Sequence, residues 1–122
     1  ITLAILLAVL ICSGVYTVRM LHKDAGIIES QINRIEELVK KQDWAQVKEI
    51  LSQVEEKWSG TEKTWTMLID HTEIDYIDIS LTKLKSYVEA EDTTLALGEI
   101  GVLRQYIRHI PEKESFRLKN LF

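Results

Sequence analysis

The chain is short of the residues that most sites are built from. Its one cysteine, Cys12, allows no internal disulfide and no cysteine-based metal cage, so the redox compartment cannot be read from it. Five glycines and one proline in 122 residues leave no glycine-rich phosphate loop and no nucleophile elbow. No stretch alternates polar and apolar residues for long enough to make a strand. A basic excess is also lacking: the net charge is −4 with signs mixed, against the basic face of a nucleic-acid binder. Charge itself is missing from residues 1–18, which makes the rest of the chain denser in Glu, Lys and Asp.

That uncharged run, ITLAILLAVLICSGVYTV, holds ten Ile, Leu or Val. As a helix it spans about 27 Å, close to the roughly 30 Å hydrocarbon core of a bilayer. Tyr16 suits the interfacial belt, and Arg19, His22 and Lys23 follow at the boundary. A retained transmembrane anchor is the expectation, with residues 1–18 in lipid and 1–23 forming anchor plus basic flank. A cleaved signal peptide would need a better small-residue site than Ser13-Gly14. A lipoprotein cysteine would need a small residue where Ile11 stands, and a pilin would carry Glu where Ile5 stands. Because the chain starts on Ile1, a basic start or a processed leader is expected ahead of it. Taken alone, the flanking cations place the following domain in the cytoplasm.

From residue 24 onward the apolar spacing is helical. Ile28, Ile32, Ile35 and Val39 recur at three or four residues, as do Val47, Leu51, Val54 and Trp58. Ile74, Ile77, Leu81, Leu84 and Val88 repeat the pattern, followed by Ala96, Ile100, Leu103, Ile107 and Ile110. Asp43, with Gln46 three residues on, and Asp92 are helix caps. Ser59-Gly60 is expected to end one helix, with Ser59 and Glu62 capping the next over residues 61–91, about 45 Å long. Its first part, 61–72, projects beyond the hairpin or packs against residues 19–28. Pro111 closes the last helix or opens a short final turn. The halves superpose at an offset of 49 residues, Asp43 on Asp92 and Ile32 on Leu81. The fold expected is all-α: a transmembrane helix plus a four-helix antiparallel domain, 24–122, built from two similar helical hairpins. These TPR-like αα repeats fall at about 27–59 and 76–110.

The densest polar cluster is DHTEIDYID, residues 70–78. His71, Asp75 and Asp78 share one helical side and are the candidates for a divalent metal or a proton relay. The favoured alternative is a structural polar contact, because no Glu-x-x-His pair of the di-iron type occurs; no cofactor is expected. Among the tryptophans, Trp58 fits a core position, while Trp44 is the one expected exposed. Trp44, Trp65, His71 and Glu73 form the candidate partner surface. Gly98 and Gly101 suit close helix packing. The tail residues Phe116, Leu118, Leu121 and Phe122 are expected to dock on the bundle, with Lys113, Arg117 and Lys119 in solvent.

The segments EELVKKQDWAQVKEILSQVEEKW, W…LIDHTEIDYIDISLTKLKSYVEAED and HIPEKESFRLKNLF resemble a domain-of-unknown-function family of small single-pass proteins of Gram-positive, endospore-forming bacteria. That resemblance implies a short basic N-terminus before the anchor, which reverses the orientation and puts the domain outside the cytoplasmic membrane. It implies no activity. The function expected is a non-enzymatic, membrane-anchored interaction module contacting another membrane or envelope protein, or itself. A ligand- or metal-responsive accessory domain using the His71 face is the alternative, and a pilin-like subunit the third.

Overall fold

The computed structural model describes residues 1–121. Four helices carry nearly the whole chain: α1 (Thr2–Lys40), α2 (Trp44–Trp65), α3 (His71–Glu89) and α4 (Thr93–Leu121). Among the described residues there is no strand. The helices run alternately up and down, with α1 flanked by α2 and α4 and with α3 lying chiefly on α4. The expected stripes meet in the middle: Ile32, Ile35, Val39, Val47, Val54, Ile77, Leu84, Ile100 and Leu103 are all buried.

The apolar N-terminal run and the first hairpin helix are one element. No break falls near residues 23–27, so α1 is a rod of 39 residues, about 58 Å long. Burial begins at Leu21 and continues to Val39. Before Gly14 every residue is exposed. The N-terminal part is long and apolar enough to cross a membrane, and none of that window is buried in protein.

The turns of the two hairpins are built alike. Gln42 and Glu91 both adopt the left-handed conformation, φ 56° and 54°. Asp43 N–H reaches back to the Leu38 carbonyl and Asp92 N–H to the Tyr87 carbonyl, each at 3.0 Å. Gln42 N–H and Glu91 N–H bond the Val39 and Val88 carbonyls. This is the Schellman closure, and it satisfies carbonyls that the helix end would otherwise orphan. The Asp side chain at once caps the next helix, accepting from Gln46 N–H in one turn and Leu95 N–H in the other. All of these positions are related by the 49-residue offset.

Three local expectations are overturned. Ser59-Gly60 does not end a helix, and Ser59 is no cap; α2 runs through both to Trp65. The 3–4 stripe of Val54, Trp58, Thr61 and Trp65 stays buried across that point, and burial of Trp65 outweighs the ~1 kcal/mol that a helical glycine costs. The break falls instead at residues 66–70, so no helix spans 61–91. There Ile69 turns into the core and Asp70 caps α3 by accepting from Thr72 N–H at 3.0 Å. Residues 61–65 do lie toward 19–28, since Trp65 Nε1–H points at Asp24. Lastly, Pro111 sits inside α4. The residues beyond it are held by α1 and α3, through Ser115 on His22 and Lys113 on Glu73, which offsets the lost backbone bond.

Gln42→Gly and Glu91→Gly should each stabilise the detergent-solubilised chain by about 0.5–1 kcal/mol, because only glycine holds positive φ without a Cβ clash; a loss of stability in chemical denaturation at either position would contradict the turn geometry. A Cβ at Gly60 meets nothing within 4 Å. Gly60→Ala should therefore raise stability by ~1 kcal/mol as a helix-interior change, whereas a helix terminus there would make it destabilising.

Candidate functional site

Two polar regions stand out from the apolar core. The first is a shallow groove of about 540 Å³ between α3 and α4, lined by Glu73, Tyr76, Gly101, Tyr106 and His109 among others. Tyr76 and Tyr106 stack across it, ring centroids 5.4 Å apart and planes 19° from parallel. Ile79 and Val102, one helical turn along from each tyrosine, are also exposed. At one end Glu73 accepts from Lys113 Nζ at 3.0 Å and lies 3.8 Å from His109 Nε2.

The arginines near the groove are already engaged on α1. Arg104 donates to Asn33 Oδ1 through Nε and NH2, at 3.1 and 2.9 Å, and pairs with Glu36 at 3.1 Å. Arg108 bonds Glu29. With these cations committed and Tyr76, Ile79 and Val102 exposed, the groove suits a partly apolar surface better than a free anion.

The second region is the α2–α3 seam. Trp58 Nε1–H donates to Asp78 Oδ1 at 2.7 Å. Glu62 lies on the same seam, and its carboxyl is raised from 4.5 to about 7 by burial first, then by a hydrogen bond to Asp78 and by the charges of Asp78 and Asp75. Two carboxylates facing each other in a poorly hydrated seam cannot both ionise cheaply, so one proton is retained. Asp70, by contrast, is held below the usual carboxylate range, chiefly by the Thr72 backbone N–H it caps.

Residues 15–121 match the family model of a domain of unknown function, DUF4363. The chain belongs to the DUF4363 family. No curated protein and no solved structure matches it. The DUF4363 match begins at Val15, inside the apolar run, and so takes in α1 from there on together with the rest of the bundle, leaving out Thr2–Gly14.

Within the DUF4363 domain the residues singled out by sequence are dispersed. His71 is exposed on the first turn of α3 and Asp75 is exposed beside it, while Asp78 turns inward to Trp58. Among the described residues no three His, Cys, Asp or Glu side chains come together to hold an ion. Trp65 is no partner surface: it is 0% exposed, packs edge-on to Trp58 at 5.5 Å and donates toward Asp24. Trp44 is half-buried against the core and Glu73 half-buried in the groove. Gly98 and Gly101 do not bring helices close, since a Cβ on either meets nothing within 4 Å; Gly14 does, its Cβ position lying 2.7 Å from Leu118 Cδ1.

Sequence reasoning missed Glu62, Tyr76, Tyr106 and Lys113. Their partners lie on other helices, out of reach of spacing rules. Asp70-x-x-Glu73 was an available signal, being a second capping-box pattern in competition with Ser59-x-x-Glu62.

Folding takes up a proton at Glu62 between its unfolded value of 4.5 and its folded value near 7. The folded state then binds more protons than the unfolded chain, so stability falls as pH rises through that window and levels off above it. Glu62→Gln keeps a donor for Asp78 without the charge. It should raise the thermal midpoint at pH 8 and flatten the slope between pH 5 and 7; an unchanged slope would place the titration elsewhere.

Proposed function

We propose that this chain is a non-catalytic, membrane-anchored interaction module that presents the α3–α4 groove to another membrane or envelope protein. The observation that carries the proposal is the division of α1. Its N-terminal turns are apolar, uncharged and uncovered, and the same helix continues without a hinge into the core. An uncovered apolar helix in water is unfavourable, and lipid is the solvent that suits it. The Tyr76–Tyr106 pair supplies large aromatic contact area at low entropy cost, as protein contact surfaces commonly do. Anchoring raises the local concentration of the groove toward a partner in the same bilayer.

The groove and the seam favour contact over chemistry. In the groove Glu73 is paired with Lys113, and in the seam Glu62 shares a proton with Asp78, which also accepts from Trp58. The resemblance to small single-pass proteins of Gram-positive, endospore-forming bacteria favours an N-terminus inside and the bundle outside the cytoplasmic membrane.

A photo-reactive residue in place of Tyr76, compared with one in place of Lys48 on α2, tests the partner surface in native membranes. A crosslinked species at position 76 and none at 48 is expected, its mass separating a partner from a second copy. Recovery of monomer alone at both positions would end the proposal. Orientation is tested with Cys12→Ser carrying Gln42→Cys. A membrane-impermeant thiol reagent should label it in intact cells, and labelling only after lysis would put the bundle inside.

A further inference from the structure

Which end of the bundle faces the membrane follows from where α1 leaves it. The Lys41–Asp43 and Ala90–Asp92 turns close the far end and carry, apart from Ala90, only polar or charged side chains. The near end holds the α2–α3 loop and the end of α4. Trp65, which precedes the loop, reaches Asp24 on α1, and Lys57 pairs with the same carboxylate at 3.6 Å. The loop is thereby fixed beside the turns of α1 that carry Arg19, His22 and Lys23.

Its outward residues are unlike those of the far turns. Met67 is 80% exposed and Leu68 44% exposed, while Ile69 next to them points into the core. Local backbone bonding explains the split: Leu68 N–H and Ile69 N–H both return to the Trp65 carbonyl, folding the chain so that 69 goes in and 67–68 go out. Exposed Met-Leu at a loop tip, where Gly, Asn, Asp or Ser are usual, asks for a cover.

The tail of α4 reaches the same level and passes it. Ser115 Oγ bonds His22 Nε2 at 2.9 Å, and Leu118 lies on Gly14. Gly14 is five residues inside Arg19, about 7.5 Å further along the rod. Phe116 is 66% and Leu121 76% exposed there, so neither docks on the bundle as the sequence suggested; Phe122 lies outside the described residues. Between them lie Lys119 and Arg117, the latter 3.5 Å from Glu114 yet largely exposed, and the adjoining turns of α1 carry Arg19 and Lys23.

We infer that this end of the bundle is seated in the bilayer interface: the Met67–Leu68 loop and the Phe116–Leu121 turns of α4 enter the headgroup and upper acyl region, with Arg117 and Lys119 reaching out to lipid phosphate. The occupant is lipid because the apolar run of α1 is continuous with the tail surface, and because apolar residues interleaved with cations match an anionic interface. The seat rests on the anchor reading of residues 1–18, and its test separates the two.

In a Cys12→Ser background, single cysteines replace Leu6, Gln42, Met67 or Phe116 and carry an environment-sensitive fluorophore. The full chain is placed in phosphatidylcholine–phosphatidylglycerol vesicles with or without nitroxide-labelled lipid, and circular dichroism checks that each variant is folded. Positions 6, 67 and 116 should be blue-shifted and lose intensity to the lipid quencher, while position 42 is unaffected. Quenching at 6 with none at 67 and 116 overturns the seat and leaves the anchor standing. A blue shift at 67 or 116 that lipid quencher does not touch means protein cover, and also overturns it. No quenching at 6 removes seat and anchor together.

Discussion

Everything in this fold is referred to the unbroken rigidity of α1. One helix is apolar and uncovered at its start and walls the core at its end, and no hinge residue separates the two parts. A straight α-helix of this length bends only gently, so the bundle is held rigidly to the apolar N-terminal turns. Polar contacts along α1 lock the neighbours in register. Glu29 and Asn33 take Arg108 and Arg104 from α4, while Asp24 takes Lys57 and Trp65 from α2. Since α1 lies between α2 and α4, the α3–α4 groove is carried at a fixed height and a fixed angle to the rod. A partner in the same membrane would meet it side-on, without the ordering cost that a flexible linker imposes.

What was legible in the sequence was whatever depends on period and on local capping. The four apolar stripes, the caps Asp43 and Asp92 and the equivalence of the two hairpins all follow from spacing within a few residues. What was not legible is where tertiary burial overrides local preference. Gly60 and Pro111 are helix breakers by propensity, at about 1 and 3 kcal/mol. Each is outvoted by contacts made only if the helix continues: Thr61 and Trp65 bury after the glycine, while after the proline Ser115 bonds His22 and Leu118 lies on Gly14. Propensity is a sum over single residues, while these contacts need the other helices in place. Trp65 shows the same limit: spacing sets it near Trp58, but that it faces Asp24 and not a partner depends on where α1 lies.

The candidate site was legible only in part for a related reason. The run from Asp70 to Asp78 is as polar as it looked, but helical rotation deals its members to different surroundings. Asp70 caps, His71 and Asp75 face water, Glu73 meets α4, and Asp78 meets α2. Spacing on one helix can show that side chains share a face. It cannot show which neighbour that face will meet.

The same distribution of contacts sets where the bundle is weakest. Its α2–α3 side is the least intimate of the four helix–helix contacts, and the two helices are joined by the loop of 66–70 in place of a Schellman turn. On that side the main polar link is the Trp58–Asp78 bond, beside Glu62, whose proton is released near neutral pH. Ionisation there places like charges across a seam that has few other contacts to hold it. Opening between α2 and α3 is thus the lowest-cost local motion available to the domain. It would loosen the Met67–Leu68 loop and the near end of α3, including Glu73, before it disturbed the α1–α4 pair. The Met67–Leu68 loop and the groove are in this way mechanically connected through α3, whereas α1 and α4 form the fixed frame against which they move.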